Sequence, residues 1–291
     1  MRCLVFRVAL AFCLAPTVQG QLAENKISCY ADRSDNAPYK KKLWDGYEIS
    51  LGPARNSRGP DDACTAAIYD SGGRVVYRTT GFNVIFDERD TGRDFVGDGK
   101  PDVVLETDTG GGMHCCWAYN VFSLWPKPHK LFDVSGLSRF EKDWQGKVVI
   151  WERDPGPYGF TSMARQPFAE RVLRFRDGNL QDVTVDFCTR LWTDENEDYR
   201  IEKQELTPEN IQRLQSENAA DVASYANEEI VSALLSRALQ HVFCREFDQA
   251  DADLNLWPEG TRAKVKAEFA ESIKERYREF AERLLKEANS H

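Results

Sequence analysis

Short β-type segments separated by turn residues occupy the chain from residue 43 to about residue 184. Their β-branched and aromatic side chains fit a pleated, half-buried surface, and the turns between them carry Asp-Gly or Gly-Gly pairs that tolerate positive φ. Regular spacing of this kind is typical of an antiparallel sandwich, a barrel or a propeller-like sheet. The predicted strands cover residues 44–51, 65–69, 82–86, 103–107, 117–124, 148–152 and 172–175. Bulky apolar groups on both faces of the 117–124 segment predict a central strand.

Helical periodicity replaces this alternation near Asp186. A Thr-Pro-Glu sequence at residues 207–209 supplies a hydroxyl cap, a proline at the first helical position and an acid in the first turn. A second helical pattern includes residues 230–242 and is ended by Trp-Pro-Glu-Gly at 257–260, after which Thr261 is expected to cap a third helix. One apolar stripe runs along the third helix, through Val265, Phe269, Ile273, Tyr277, Phe280 and Leu284.

These patterns predict an α+β fold. We expect an antiparallel β domain at residues 21–187, arranged as a sandwich or propeller-like sheet, and an α-helical tail of three helices at residues 188–291.

The first twenty residues are typical of a signal peptide. Arg2 and Arg7 give a positive start, residues 8–15 form a short apolar run, and Val18 and Gly20 are small residues placed as signal peptidase requires. We therefore expect cleavage before Gln21 and a periplasmic or secreted protein. The apolar run is too short to span a bilayer, so we expect a protein that is not membrane-embedded, although an interfacial anchor is the alternative.

The formal net charge of −9 argues against nucleic acid and anionic lipid as main partners. The basic run at residues 40–42 is too short to change that balance, and it is interpreted as a solvated strand edge.

Six cysteines remain after the predicted cleavage, and an even number in an exported chain indicates disulfides. Fifteen pairings are possible, and sequence alone does not decide among them. The pairing that we expect joins Cys29 to Cys64 and Cys188 to Cys244, which leaves the adjacent Cys115 and Cys116 to bridge each other.

The segment from residue 94 to residue 102 has the spacing of the first part of a calcium loop. Asp94, Asp98 and Asp102 fall at positions 1, 5 and 9, Lys100 at position 7, and a glycine at position 6 permits the sharp turn. Val96 at position 3 cannot act as a ligand. The alternative is an Asp-Gly turn between strands without a metal.

This segment resembles the FG-GAP repeats, in which Asp-x-Asn-x-Asp-Gly-x-x-Asp precedes a strand. Together with the Gly-Gly-x-His-Cys-Cys sequence that follows it, the segment is similar to exported bacterial proteins of unknown function that combine the same two features. The likeness spans residues 94 to about 184, and it implies a fold neighbourhood and a location rather than an activity. The candidate binding residues of the second feature are Gly111, Gly112, His114, Cys115, Cys116 and Trp117.

Three interpretations of this paired-cysteine segment are open. His114 and the two cysteines could form a soft metal site with His241 and Cys244, or the cysteines could be a redox-active pair. The third interpretation is structural, with the cysteines in disulfides and the glycines allowing a tight bend. A disulfide between neighbours would present a rigid apolar platform beside Trp117. We expect this segment and the acidic bend to lie at the ends of neighbouring strands and to form one site.

A second acidic segment matches the oxygen spacing of an EF-hand. Its candidate ligands at positions 1, 3, 5, 9 and 12 are Asp194, Asn196, Asp198, Glu202 and Glu205. Tyr199 occupies position 6, where a glycine is usual, so the alternative is an acidic linker that enters a helix.

No nucleophile elbow, zinc-protease motif or phosphate-binding loop is found in the sequence. The sequence therefore favours an extracytoplasmic binding or interaction protein over an enzyme, with calcium as the one cofactor that it suggests and an envelope protein or glycan as partner. The alternatives are an envelope glycan or peptide hydrolase and an inhibitor of one. The inhibitor alternative depends on residues 250–255, which resemble a stretch of a lysozyme-inhibitor family.

Overall fold

The computed structural model describes residues 26–29, 38–54, 63–108, 110, 117–157, 160–162, 165–216 and 227–289. The predicted signal peptide and residues 111–116, which include the paired cysteines, lie outside the described residues.

The described residues of the first part of the chain form three antiparallel sheets. The first sheet has the order β2 (Tyr39–Lys42), β3 (Glu48–Pro53), β4 (Cys64–Tyr69) and β5 (Val75–Gly81). The second has the order β1 (Lys26–Ser28), β6 (Asn83–Asp87), β7 (Asp102–Asp108), β8 (Trp117–Ser123) and β9 (His129–Ser135). The third has the order β10 (Arg139–Lys142), β11 (Val148–Pro155), β12 (Phe168–Arg176) and β13 (Asn179–Asp182).

The second sheet is the middle layer of the β region. Val103 and Leu105 of β7 pack towards Ile49 and Ile68 of the first sheet. The opposite face of β7 contributes Val104 to a cluster that is shared with the third sheet. Every residue of β7 is therefore buried, as expected for a strand with apolar neighbours on both faces. Strand β8 lies between β7 and β9, which confirms the predicted central strand.

The turn chemistry and the basic run also follow the sequence. Asp177 and Gly178 both have positive φ, 54° and 80°, in the two-residue turn between β12 and β13. The lysines at residues 40–42 belong to β2, which is the edge strand of the first sheet, and this confirms the interpretation of the basic run as a strand edge.

The helices follow the sheets in the chain, which confirms the α+β prediction. They are α1 (Cys188–Leu191), α2 (Glu197–Glu205), α3 (Pro208–Ser216), α4 (Glu228–Phe243), α5 (Phe247–Leu254), α6 (Glu259–Ile273) and α7 (Arg278–Ala288). Helix α4 docks on β12 through Gln240, whose side chain donates to the Glu170 carbonyl and accepts from the Glu170 amide, both at 3.0 Å. An amide side chain can satisfy both backbone groups of one strand residue in this way.

The prediction of three helices was wrong. Seven α-helices lie within the described residues, and the third predicted helix is divided into α6 and α7. Thr261 lies inside α6 instead of capping it, and its hydroxyl donates to the Pro258 carbonyl at 3.1 Å. The apolar stripe is nonetheless buried, because the break between α6 and α7 keeps Phe269, Ile273 and Phe280 in one helical core.

Two disulfides lie within the described residues, and they are the two pairs that we expected. Cys29–Cys64 connects the residue after β1 to the start of β4 and so joins the first two sheets. Cys188–Cys244 connects α1 to the end of α4. These bonds fit a protein that folds in an oxidising compartment.

No helix in the described part of the chain combines the length and apolarity that a membrane crossing requires.

Candidate functional site

The connection between β6 and β7 is held together by aspartates. Asp94 accepts backbone hydrogen bonds from Gly97 at 2.5 Å and Gly99 at 2.8 Å, each to a different carboxylate oxygen. It also accepts from the Asp98 amide at 3.2 Å. Gly97 and Gly99 have φ values of 84° and 80°, a conformation that favours glycine. The predicted Asp-Gly bend is therefore present. Both carboxylate oxygens of Asp94 accept hydrogen bonds from backbone amides of the bend.

Asp102 closes the other end of this bend. One of its oxygens accepts from the Phe95 amide at 2.9 Å, whereas the other is buried without a hydrogen-bond partner among the described residues. Burial, together with the negative charges of Asp94 and Asp98, raises the pKa of Asp102 to about 6, although the hydrogen bond from the Phe95 amide acts in the opposite direction.

The residues predicted to bind calcium do not converge in this conformation. The described residues contain no group of three or more His, Cys, Asp or Glu side chains that could hold a metal. Asp94 already accepts three amide hydrogen bonds, and Lys100 places its ammonium group over the Trp125 ring at 5.1 Å. The arrangement does not fit a calcium ion as it stands, so the calcium site stays a prediction.

The first half of the bend forms one wall of a cleft of about 750 Å³ between the second and third sheets. Its lining is strongly basic, and we call it the basic cleft. It contains one acidic residue, Asp94, and six cationic residues, which are Arg89, Arg93, Lys142, Lys147, Arg174 and Arg176.

Buried carboxylates hold three of the arginines in place. Asp90 is 1% exposed and accepts from Arg89 at 2.8 Å and from Arg93 at 2.7 Å. Asp143 accepts from Arg174 across the third sheet. Because each carboxylate is fixed inside the fold, each guanidinium group is oriented before any ligand arrives.

The remaining cations of the basic cleft have no such partner. Lys142, Lys147 and Arg176 are exposed, and none forms an ion pair with a described carboxylate. The Nε atom of Arg174 is buried and has no hydrogen-bond partner within the described ranges. The cleft therefore has donors to offer to an anion.

The two features that we expected to form one site are separated. Asp102 pairs with Ser123 at one end of β7, whereas Asp108 pairs with Trp117 at the other end. A strand of seven residues spans roughly 20 Å at about 3.4 Å per residue. Trp117, which directly follows the paired cysteines, therefore lies at the opposite end of the sheet from the acidic bend. The prediction of a single combined site is therefore wrong for Trp117, the one candidate residue of that segment that the structure describes.

The structure also contradicts the part of the soft metal site that involves His241 and Cys244. Cys244 is bonded to Cys188, so it offers no thiolate. The Nδ1 atom of His241 lies 2.6 Å from Oε2 of Glu246. The centroid of the His241 ring lies 4.5 Å from that of the Trp192 ring. The binding role of Gly111, Gly112, His114, Cys115 and Cys116 concerns residues that the structure does not describe.

The second acidic segment is a linker that enters helix α2, the alternative to a calcium loop. Asn196 caps the helix by accepting from the Tyr199 amide at 3.1 Å. Asp194 pairs with Lys203 at 2.8 Å, and Asp198 pairs with Arg153 at 2.8 Å. An EF-hand needs these oxygens around one bend, whereas Glu202 and Glu205 project from a helix.

Sequence reasoning did not find the basic cleft. Its cations come from three separate segments, and only the packing of the second sheet on the third brings them together. One signal was available: Arg174 and Arg176 alternate along a strand, which places both on the same face.

A comparison with protein families found no matching model, and comparisons with curated proteins and with solved structures found no match.

Proposed function

We propose that this chain is an extracytoplasmic binding protein that holds an anionic glycan in the basic cleft. The observation that carries the proposal is the excess of six cationic over one acidic lining residue, in a protein whose formal net charge is −9. Asp90 and Asp143 pair with three of these cations from behind the lining, so Lys142, Lys147 and Arg176 carry the unpaired positive charge that an anionic ligand would meet.

The oriented arginines support a ligand with sulfate, phosphate or carboxylate groups. A guanidinium group forms two parallel hydrogen bonds with such groups, whereas an ammonium group acts as a point charge. Arg89 and Arg93 are fixed by Asp90, and Lys142 and Lys147 supply mobile charge beside them.

The shape of the cleft supports a glycan over a protein or nucleic acid. A concave space of about 750 Å³ suits a short chain of sugar units, while protein interfaces are larger and flatter. Phe95 and Phe175 are buried, so these lining aromatic rings cannot stack on bases. The negative net charge opposes a long polyanion such as duplex DNA.

The hydrolase alternative has one observation in its favour, a pair of carboxylates in a second cleft. Asp198 and Glu202 lie one turn apart on α2 and line the same space. The two carboxylates of a glycosidase act from opposite sides of the bond that breaks. Because Asp198 and Glu202 lie on one wall, the arrangement favours binding. Release of reducing ends from peptidoglycan would support the hydrolase instead.

A glycan array tests the proposal. We expect the wild-type protein to retain sulfated or uronic-acid glycans, and the Lys142→Glu/Lys147→Glu variant to lose them. Lys264→Glu is the matched control, since Lys264 is an exposed lysine on α6 that does not line the cleft. Equal binding by both variants, or equal displacement by single-stranded DNA, would contradict a glycan site in this cleft.

A further inference from the structure

A second cleft, of about 620 Å³, lies where the third sheet meets helices α2 and α4. We call it the junction cleft. Arg153 of β11, Phe168 of β12, Glu202 of α2 and Ser236 of α4 line it, together with Gln166 from the segment before β12.

Three polar atoms of this lining are buried without a hydrogen-bond partner among the described residues. They are Oε2 of Glu202, Nε2 of Gln166 and Nε of Arg153. Glu202 is 5% exposed and Gln166 is 6% exposed. Folded proteins satisfy nearly all buried polar groups, because leaving one unpaired loses the hydrogen bond that water provided. Three such atoms around one space indicate a ligand that completes them.

Two exposed apolar side chains line the junction cleft. Leu137 is 40% exposed and Ile201 is 47% exposed, and both line the cleft. The cleft therefore offers two kinds of contact. Its unpaired polar atoms suit hydroxyl and amide groups of a ligand, and its exposed apolar side chains suit C–H groups.

The charged groups of the junction cleft largely cancel. Arg153 pairs with Asp198 at 2.8 Å, and Arg165 pairs with Glu229 at 2.6 Å. Burial, together with the negative charges of Asp198 and Asp253, raises the pKa of Glu202 to about 8 against the opposing charge of Arg237. At neutral pH the Glu202 carboxyl group is therefore protonated, and it both donates and accepts hydrogen bonds.

We propose that the junction cleft binds a neutral saccharide. Each sugar hydroxyl donates and accepts at once, which matches a space lined by a carboxyl group and by two unpaired donors, the Nε of Arg153 and the Nε2 of Gln166. The C–H face of the ring packs against Leu137 and Ile201. A strongly charged ligand is disfavoured, because the guanidinium groups are already paired and Glu205 adds negative charge at the edge.

This site is independent of the basic cleft, which lies between the second and third sheets and takes an anionic group. Either site can fail without the other.

Saturation-transfer NMR with a panel of neutral sugars tests the proposal: glucose, galactose, mannose, N-acetylglucosamine and their common disaccharides. We expect transfer to at least one panel member in the wild-type protein. The Gln166→Leu variant should weaken that binding about tenfold, since it removes a donor while keeping the side-chain volume similar. Glu202→Gln should retain binding, because the amide is neutral and also donates and accepts.

Lys264→Glu is the control and should leave this signal unchanged, since Lys264 is exposed and does not line the junction cleft. Circular dichroism establishes that each variant is folded. Absence of transfer to every panel sugar from the folded wild-type protein would overturn the proposal, and so would equal transfer from folded Gln166→Leu.

Discussion

Asp90 fixes Arg93 through a 2.7 Å hydrogen bond from the arginine Nε to a carboxylate that is only 1% exposed. The same carboxylate accepts from Arg89 at 2.8 Å, so one buried acid orients two cations on the wall of the basic cleft. The backbone amide of Asp90 in turn donates to Asp87 at 3.0 Å.

Replacing Asp90 should destabilise the protein. Asp90→Asn removes the negative charge and one of the two acceptor oxygens that hold the two guanidinium groups, which should lower the free energy of unfolding by about 2 kcal/mol. Urea denaturation measures this change. Asp177→Asn is the control, since Asp177 lies in an exposed turn and its positive φ suits asparagine. Equal stability of the two variants would show that the Asp90 pairs contribute little.

Glu202 should make stability depend on pH. Its pKa is raised from 4.5 to about 8 in the folded protein, so the folded state holds a proton that the unfolded state releases. The stabilisation from protonated Glu202 is present below pH 4.5 and is lost as the pH rises to 8, by up to about 5 kcal/mol at 1.36 kcal/mol per pKa unit.

The Glu202→Gln variant tests this dependence, because the amide stays neutral at every pH. Between pH 5 and pH 8 its free energy of unfolding should fall less steeply than that of the wild-type protein, as urea denaturation at a series of pH values would show. Parallel curves for the two proteins would contradict a buried, neutral Glu202. Asp102 has the same sign of shift and contributes over a lower range that ends near pH 6.

The Cys188–Cys244 bond should contribute strongly to stability. It joins residues that are 56 positions apart in the chain, and closing a loop of this length restricts the unfolded state. The Cys188→Ser/Cys244→Ser variant should lose roughly 2–5 kcal/mol of unfolding free energy. The wild-type protein in reducing agent is the companion measurement. Peptide mapping that finds Cys188 as a free thiol in the native protein would refute the pairing.

The acidic bend should keep its shape without calcium. Asp94 accepts hydrogen bonds from three backbone amides. Asp94→Ala should therefore lower the free energy of unfolding by about 1–2 kcal/mol in a buffer that contains a chelator. The thermal midpoint of the wild-type protein should be the same within about 1 °C in calcium and in chelator, since only a ligand that binds the folded state raises it. A clear rise in calcium that Asp102→Asn abolishes would show that the bend rearranges around the ion.

Much of the fold could be predicted from the sequence, because local chemistry determines it. The positive-φ residues Gly97 and Gly178 mark real turns, and Thr207 accepts from the Asn210 amide at 3.2 Å, as a helix cap should. The short edge strands β10 and β13 were not predicted, since partly exposed polar strands carry little hydrophobic alternation.

The sites were harder to predict than the fold. Arg93 and Arg174 become neighbours of one cleft only through the packing of two sheets, and no local pattern encodes that contact. Spacing also misled us at Asp198 and Glu202, which match a calcium loop in sequence but lie on a helix. Oxygen spacing alone does not distinguish a calcium-binding bend from a helix. Tyr199 does, because it stands where a calcium loop has the glycine that permits its sharp turn.

The affinity of a heparin oligosaccharide, measured by isothermal titration calorimetry, tests the central claim most directly. We predict binding that weakens with added salt and that falls at least about tenfold in Lys142→Glu/Lys147→Glu, while Lys264→Glu binds like the wild-type protein. Binding that is independent of salt, or that both charge-reversal variants retain equally, would contradict an anionic-glycan site in the basic cleft.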